Sequence, residues 1–321
     1  MKKLFILFLG LIILIGCGQV DEGSGTSKKK VGIVQFAEHP SLTNCTNGFI
    51  EGIKEAYGEN LEIDLKNATG EGQNAALITD QFVSKKYDLV CAVATPAAMS
   101  AFNSSDGIVP VVFSAVSDPV AAGLVESLES PGTNCTGTSD TLPIDTQLQL
   151  IKDLVPNASK IGILYTTSEV NSQTNLKRME ESSQKFGFEI IPIGINNADE
   201  IPMATDALLK KVDVITMLTD NKVVDNLKLI TDKARAAGVP VFGSEEEQLN
   251  SGCVAAMNIN YFDLGVETGK IGAELLKGKD AKEIPVMVID SANPVLNPAI
   301  ISEYGLEIPE ALKEAKTYGG E

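Results

Sequence analysis

The stretch KVGIV at residues 30–34 returns 130 residues later as KIGIL at residues 160–164. Two further pairs follow in the same order: YDLV at 87–90 with VDVI at 212–215, and PVVFS at 110–114 with PVFGS at 240–244. The third pair has the same offset of 130 residues as the first. The offset of the middle pair is 125 residues, a difference that a short loop insertion explains. A repeat of such long period indicates two domains built on one plan.

Between these markers, short apolar runs alternate with longer segments of helical period, a pattern typical of successive βαβ units. Strands are predicted near 31–36, 61–66, 88–94 and 110–115, and again near 160–166, 188–194, 212–218 and 240–243. Helices are predicted near 41–57, 72–85, 96–103, 171–186, 198–210 and 221–237. Continuous apolar runs such as LVCAV at 89–93 suit strands covered by helices on both faces, as in parallel sheets. The predicted fold class is α/β, with two Rossmann-like lobes and parallel sheets.

The two lobes are expected to be joined by a multi-strand hinge, whose segments cross around 134–140, around 258–261 and before Leu296. Residues 31–138 would form lobe 1, completed by about 261–292. Residues 139–260 would form lobe 2, completed by about 293–321. In this arrangement a helix at 262–277 and the apolar run at 284–289 return to lobe 1.

The amino terminus has the features of an export signal. Lys2 and Lys3 precede an apolar run at 4–15 that is too short to span roughly 30 Å of hydrocarbon. The run ends in LIGC at 14–17, which resembles the lipobox of bacterial lipoproteins. We therefore expect residues 1–16 to be a signal peptide and Cys17 to be lipidated, followed by a polar, flexible tether to residue 30. The expected location is the extracellular face of the cell membrane, reached through this anchor alone.

Composition excludes several classes of function. A net charge of −17 repels phosphate backbones and argues against nucleic-acid binding. One histidine gives little scope for a histidine-based triad, and no HExxH or GxxxxGK[ST] motif occurs, so we expect no catalysis and no cofactor. Cys45, Cys91, Cys135 and Cys253 lack metal-ligand spacing. We expect neither a zinc site nor a disulfide framework, while a single bridge stays open.

In open α/β sheets ligands bind beyond the carboxyl ends of the strands. Thr95 is a competent N-cap there and Pro96 suits the first helical position, which would leave the amides of Ala97 and Ala98 free to bind a carboxylate. At the equivalent place in the second lobe, Asp220 would accept an α-ammonium group, so that a zwitterion bridges the lobes. For both positions, plain helix capping is an equally good interpretation.

The other candidate binding residues also follow predicted strands. Taken alone, each of them can equally be interpreted as an ordinary loop residue without a binding role. His39 is the single histidine and a candidate for the edge of a side-chain pocket, and Phe36 or Tyr261 would supply any aromatic stacking. The full set of predicted ligand-binding residues is Phe36, Glu38, His39, Thr95, Pro96, Ala97, Ser114, Ser139, Asp140, Glu169, Asn171, Thr219, Asp220, Asn221 and Glu245.

Seven segments in order resemble the ABC transporter substrate-binding proteins of the tryptophan or aromatic amino-acid type, which have the type I periplasmic-binding-protein fold. They are GIVQFAEHP at 32–40, ATPAA at 94–98, FSAVSDPV at 113–120, GTSD at 137–140, EVNS at 169–172, TDN at 219–221 and GSEE at 243–246. The resemblance implies a monomeric, non-catalytic protein that closes around an aromatic amino acid, with an ABC permease and ATPase as partners. Val170, Ser114 and Ser117 depart from residues frequent in the family, which leaves the bound side chain open.

Other interpretations differ in the cargo or the role. The same fold could hold a sugar, a nucleoside or a branched amino acid, although a chain with no tryptophan offers few aromatic platforms for sugars. An adhesive role at the cell surface is a second alternative, and it does not compete with solute binding.

Overall fold

The computed structural model describes residues 27–288 and 293–319. The strands are β1 (Lys29–Gln35), β2 (Leu61–Asn67), β3 (Leu89–Val93), β4 (Val111–Ser114), β5 (Cys135–Ser139), β6 (Lys160–Thr166), β7 (Glu189–Ile195), β8 (Val214–Thr216), β9 (Val241–Phe242), β10 (Ala255–Met257), β11 (Met287–Val288), β12 (Pro294–Leu296) and β13 (Lys316–Thr317). The helices are α1 (Pro40–Tyr57), α2 (Gly72–Ser84), α3 (Thr95–Ser105), α4 (Ile144–Leu154), α5 (Val170–Phe186), α6 (Ile201–Leu208), α7 (Asn221–Asp225), α8 (Leu227–Ala237), α9 (Tyr261–Leu276) and α10 (Pro298–Glu303).

These elements form two sheets, each covered by helices. The first sheet has the order β11-β5-β4-β3-β1-β2 and is parallel throughout. The second has the order β13-β12-β10-β9-β8-β6-β7, and within it β12 runs antiparallel to β10. The predicted α/β class with two lobes is confirmed, with this single antiparallel pairing as the departure from parallel sheets.

Each lobe has its own core. In the first lobe, α1, α2, α3 and α9 pack against the first sheet, and every residue of β3 is buried. In the second lobe, the core is divided between the two faces of the second sheet. Fully buried strands read as continuous apolar runs because helices cover both faces, and this explains the pattern in the sequence.

The repeat has a physical basis at the start of each sheet. The Asp88 carboxylate accepts the Lys30 N–H at 2.8 Å, and the Asp213 carboxylate accepts the Lys160 N–H at 2.9 Å. In each lobe an aspartate preceding the third strand thus holds the first residues of the lobe's first strand. The YDLV and VDVI segments correspond because they perform this same task.

The chain crosses between lobes at residues 140–143, between β5 and α4, and again at 258–260, between β10 and α9. A third crossing joins β11 to β12, and most of it, residues 289–292, lies outside the described part of the chain. The limits 31–138 with 261–292 for lobe 1, and 139–260 with 293–321 for lobe 2, remain a proposal. The signal peptide, Cys17 and most of the tether also fall outside the described residues.

Several elements differ from the predictions. Helix α4 was not predicted, although it buries Leu148 and Ile151 with a clear apolar stripe. The helix expected at 221–237 is two helices, because the chain breaks at Asn226. The crossing expected around 134–140 is largely a strand, β5, inside the first sheet.

The four cysteines that the structure describes are free and buried. Burial raises the pKa of the Cys45 thiol to about 12, so this sulfur stays protonated at neutral pH. Within 27–288 and 293–319, no helix combines the length and apolar content needed to cross a bilayer.

Candidate functional site

The carboxyl ends of the two sheets face each other across a cavity of about 300 Å³, the inner cavity. Residues from both lobes line it: His39, Leu42, Thr95, Ala115, Ser117, Asp140, Asn171, Thr219, Asp220, Asn221, Val224, Glu245 and Tyr261. Eight of these were predicted from the sequence as binding residues, and they come from six different strand ends.

The wall at β3 and β4 has unusual backbone geometry. Ala94 has φ 81° and Ala115 has φ 57°, a conformation that is costly for residues other than glycine. Ala94, and not Thr95, is the N-cap of α3, and it supplies no side-chain cap. The Ala98 N–H already donates to the Ala94 carbonyl at 3.0 Å, so the predicted pair of free amides is corrected. Within the described chain, the amides at this terminus without an acceptor belong to Thr95 and Ala97.

One end of the inner cavity is acidic. The Asp140 carboxylate accepts hydrogen bonds from the Tyr261 hydroxyl at 2.6 Å and from the Ser117 hydroxyl at 3.1 Å. Burial raises the pKa of Asp140, against the lowering effect of these two donors. No lysine or arginine stands among the described residues that line the cavity. A carboxylate is therefore held here without a compensating cation.

Glu245 adds a second acid from the opposite lobe. Its carboxylate accepts the Ser41 hydroxyl across the cleft at 2.5 Å, and burial raises its pKa. Its neighbour Glu247 accepts the Asn44 amide at 3.1 Å, and its pKa rises to about 7 through burial and, less strongly, through the charge of Glu245. These two acids meet α1 of the first lobe, which couples the acidic end of the cavity to contact between the lobes.

Asp220 lines the cavity but has another task. Its oxygens accept the Thr166 N–H and hydroxyl at 2.5 and 2.8 Å, the Ser172 hydroxyl at 2.6 Å and the Val223 N–H at 2.8 Å. A carboxylate has about four acceptor positions, and four donors already occupy them. The expectation that Asp220 binds an ammonium group is corrected: the carboxylate caps α7 and fixes β6 to it.

Glu169 lies behind this wall. It accepts the N–H and the side-chain amide of Asn221 at 3.0 and 2.7 Å, and the Asn171 amide at 3.1 Å. Burial, with a smaller effect from Asp220, raises its pKa to about 7. Glu169 itself does not line the cavity; it orients Asn221 and Asn171, which do. The Oδ1 atom of Asn171 is buried and finds no hydrogen-bond partner in the described chain.

His39 lies between β1 and α1 and is buried, with 7% of its surface exposed. Neither ring nitrogen meets a hydrogen-bond partner with good geometry in the described chain. Burial lowers the pKa of His39 to about 4, outweighing the raising effect of the nearby Asn221 side chain. The imidazole is therefore neutral at physiological pH.

The remaining predicted residues lie elsewhere. Phe36 and Glu38 line a separate outer cavity of about 1060 Å³ at the mouth of the cleft. Ser114 lies on the core side, where its hydroxyl bonds Thr268 at 2.6 Å and the Cys45 thiol at 2.9 Å. Ser139, the last residue of β5, donates to the Ser117 carbonyl at 3.3 Å. Pro96 and Ala97 start α3 behind Thr95 without lining the inner cavity.

Several lining residues were not in the predicted set: Leu42, Ala115, Ser117, Val224 and Tyr261. Ser117 lies three residues after the end of β4, and Tyr261 is the first residue of α9, four residues after the end of β10. Both therefore lie beyond the carboxyl end of a strand, as binding residues in such sheets do, but further along the chain than the predicted residues. Tyr261 acts here through its hydroxyl, which differs from the expected stacking role. Leu42 and Val224 sit one turn inside helices, where the sequence makes them resemble core residues.

The two lobes touch directly around the cavity. Besides the contacts of Glu245 and Glu247 with α1, the Ser117 and Thr219 hydroxyls lie 2.8 Å apart. At the mouth, the Lys222 ammonium lies 3.9 Å from the Glu71 carboxylate. These contacts exist only when the cleft is shut, and the structure is therefore a closed arrangement. In the described residues, no cluster of acid, cysteine or histidine side chains has the geometry to hold a metal ion.

Comparison with known proteins agrees with this architecture. Residues 30–318 match the family model described as ABC transporter substrate binding protein. The chain is similar to a tyrosine-binding protein of Clostridioides difficile, at 39% identity over 301 residues that cover 90% of this chain and 87% of the relative.

Two solved structures are similar over 91% of the chain. One is an ABC domain from Streptococcus pneumoniae in complex with L-tryptophan, with 34% identity, 99% of its chain covered and a TM-score of 0.87. The other is the ligand-free, open structure of a substrate-binding protein with adhesive properties from Clostridium difficile, with 35% identity, full coverage and a TM-score of 0.68. At nearly equal identity, the TM-score is higher to the L-tryptophan complex than to the ligand-free, open structure.

Proposed function

The chain belongs to the family of ABC transporter substrate-binding proteins, and from that premise we propose that it captures an aromatic L-amino acid, namely tyrosine, tryptophan or phenylalanine. Members of this family bind a small solute outside the cytoplasm for a transporter and are not enzymes. The observation that carries the proposal is the charge of the inner cavity. Buried carboxylates line it, while none of its described lining residues carries a cationic side chain.

The acidic end suits an α-ammonium group. Removing a carboxylate from water is costly unless a cation or enough hydrogen bonds compensate it. Asp140 accepts hydrogen bonds from two side chains, and Glu245 has Ser41, Tyr261 and Gln248 as nearby donors, so each carboxylate has fewer side-chain donors than its roughly four acceptor positions. An ammonium group between them would supply charge-assisted hydrogen bonds to both lobes and thereby favour closure.

The amide end of α3 suits the α-carboxylate. The Thr95 N–H lacks an acceptor in the described chain, belongs to a residue that lines the cavity and lies at the positive end of a helix of 11 residues. The hydroxyls of Ser117 and Thr219 stand on neighbouring strand ends of the two lobes. The side chain of the ligand would lie against Leu42, Val224 and Ala115, the apolar part of the lining.

The relatives support an aromatic cargo. The Clostridioides difficile relative is named for tyrosine, and the Streptococcus pneumoniae structure holds L-tryptophan. An adhesive role as well is supported only by the description of the Clostridium difficile relative.

We further infer that Cys17 carries a lipid anchor and that residues 18–28 tether a monomer to the membrane; residues 29 and 30, expected to belong to the tether, are the start of β1. The amino-terminal signal and the LIGC segment support this. An ABC permease and its ATPase would receive the ligand from the closed lobes.

Thermal denaturation of the chain lacking residues 1–17 tests the proposed cargo. At 100 times its dissociation constant, a ligand adds about 2.7 kcal/mol of stability, enough to raise the midpoint by roughly 5 °C. L-Tyrosine, L-tryptophan or L-phenylalanine should produce such a shift, and glucose, myo-inositol, adenosine and L-leucine should not. No shift with any aromatic amino acid, together with a shift for one of the other compounds, would contradict the proposal.

A further inference from the structure

Among the described residues that line the inner cavity, His39 has two buried ring nitrogens without a hydrogen bond of good geometry, although the Asn221 side chain lies near them. It precedes α1, and Leu42, one turn further on, lines the cavity beside it. The chain contains no other histidine. A neutral imidazole has one donor and one acceptor, and leaving both unpaired in the interior is costly.

The position of His39 relative to the acidic end suggests what would pair with it. Asp140 follows β5 and His39 follows β1, and β4 and β3 lie between these strands in the first sheet. Three inter-strand spacings separate their backbones by roughly 14 Å. The polar groups that act on His39 are Asn221 and Asp225, whereas those that act on Asp140 are Tyr261 and Ser117, so the two side chains have different neighbours along the cavity. A ligand whose ammonium group meets Asp140 would direct the far end of its side chain towards His39.

The surroundings of His39 fit a planar, mainly apolar ring with one polar atom. Leu42 and Val224 are apolar members of the lining, whereas Asn221 and His39 are polar. The side-chain amide of Asn221 is already committed to Glu169 at 2.7 Å. The Asn221 side chain is near enough to act on His39, yet neither imidazole nitrogen makes a hydrogen bond of good geometry in the described chain, so the ring can still donate to or accept from a ligand.

We propose that His39 is the specificity-determining residue of this cavity, where its imidazole hydrogen-bonds the polar atom of an aromatic side chain. The phenolic hydroxyl of tyrosine and the indole N–H of tryptophan offer such an atom, and phenylalanine does not. The inference rests on the proposed function, because it assumes an amino acid in the inner cavity. It adds the rule that tyrosine and tryptophan are selected over phenylalanine.

Calorimetric titration of the chain from residue 18 with L-tyrosine, L-tryptophan and L-phenylalanine tests this rule. In the unaltered protein, the phenylalanine dissociation constant should exceed that of tyrosine by at least about tenfold, as expected for a site with buried polar atoms left unpaired. In His39→Leu, tyrosine affinity should fall and the ratio should shrink to within about threefold. His39→Gln keeps a donor and an acceptor, and should restore part of the preference.

The control is Asn47→Leu, on the exposed outer side of the same helix, which should leave the ratio unchanged. A ratio near one in the unaltered protein, or an unchanged tenfold ratio in a folded His39→Leu variant, would overturn the role of His39 while leaving the proposed cargo intact. Binding of none of the three amino acids by the unaltered protein would overturn both. If His39→Leu does not fold, the ratios of the unaltered protein and of His39→Gln decide the matter.

Discussion

The buried acids around the inner cavity make proton binding part of ligand binding. Burial raises the pKa values of Asp140 and Glu245, and it raises those of Glu169 and Glu247 to about 7. In the closed arrangement, burial thus shifts each of these groups towards its protonated form. An incoming ammonium group stabilises the ionised forms instead, so binding should release protons to solution.

This linkage predicts opposite pH trends for affinity and stability. The pKa of Glu169 rises from 4.5 to about 7 on folding, so its favourable contribution to folding is complete below pH 4.5 and is lost as the pH rises through 7. Between pH 5 and pH 8 the midpoint of the ligand-free protein should therefore fall. Over the same range, affinity for an amino acid should increase, by up to about tenfold per pH unit for each proton released.

Titration calorimetry in buffers of different ionisation enthalpy measures the released protons, and thermal scans measure the stability. Glu247→Gln removes one of the titrating groups and should weaken the dependence of affinity on pH. An affinity that does not change between pH 5.5 and pH 8 would mean that these carboxyl groups do not respond to the ligand.

The residue types at strand ends allowed much of the site to be predicted. Two features were not predicted: the hydrogen-bond partners of Asp220 and the residue that caps α3. Asp220 follows β8 as expected, but the hydrogen bonds that occupy it come from Thr166 and Ser172, which are distant in sequence. Ala94 replaces Thr95 as the cap because of a backbone conformation that alanine rarely adopts. Neither fact follows from local pattern, since both depend on how neighbouring strands meet.

At the scale of elements, the closest packing is between α1 and α9. A Cβ atom on Gly265 would lie 2.0 Å from the Cys45 carbonyl oxygen, and one on Gly269 would lie 2.4 Å from the Ile53 nitrogen. Glycine permits the two backbones to touch. This contact fixes the start of α1, with Ser41 and Leu42, against the start of α9, with Tyr261, so it positions one wall of the cavity.

Gly265→Ala should therefore destabilise the protein by about 1 to 3 kcal/mol, because the added methyl group meets backbone that cannot move aside. Gly272→Ala, on the same helix, is the matched control. Its Cβ would meet side-chain atoms rather than backbone, at 3.2 Å from Leu89 and Phe49 and 3.4 Å from Ile53, so a shift of a few tenths of an ångström accommodates it, and alanine is the better helix former by about 1 kcal/mol. Urea denaturation should separate the two variants clearly. Equal stability of both would show that the helices can move apart at little cost.

The apolar period of the sequence predicted the main strands and helices of both lobes closely. It failed where an element is short or where the pattern is continuous across a break. Strand β12 has three residues and pairs antiparallel to β10, and the sequence carries no signal for the direction of such a short strand. Helices α7 and α8 share one apolar stripe, so the break at Asn226 is invisible in the pattern.

At the scale of the whole molecule, closure and recognition use the same residues. Glu245 belongs to the second lobe, lines the cavity and accepts a hydrogen bond from Ser41 of the first lobe. Thr219 and Ser117 likewise touch across the cleft while facing the cavity. A ligand that pairs with these groups binds the closed arrangement better than the open one, and this difference in affinity is what drives closure.

The repeated plan of the two lobes explains how one small cavity can recognise two opposite charges. Each lobe presents its strand ends to the cleft. In the first lobe these ends carry the free amides of α3, while Asp140 in the hinge and Glu245 in the second lobe supply the acids. The hinge crossings at 140–143 and 258–260 lie next to this acidic end, because Asp140 and Tyr261 adjoin them.

The central claim is that the acids at this end hold the α-ammonium group of an amino acid. Calorimetric comparison of L-tyrosine with 3-(4-hydroxyphenyl)propionate, which lacks only the amino group, tests it most directly. The account predicts that the analogue binds at least about a hundredfold more weakly, a loss of roughly 2.7 kcal/mol. An analogue that binds within a few-fold of tyrosine would contradict it.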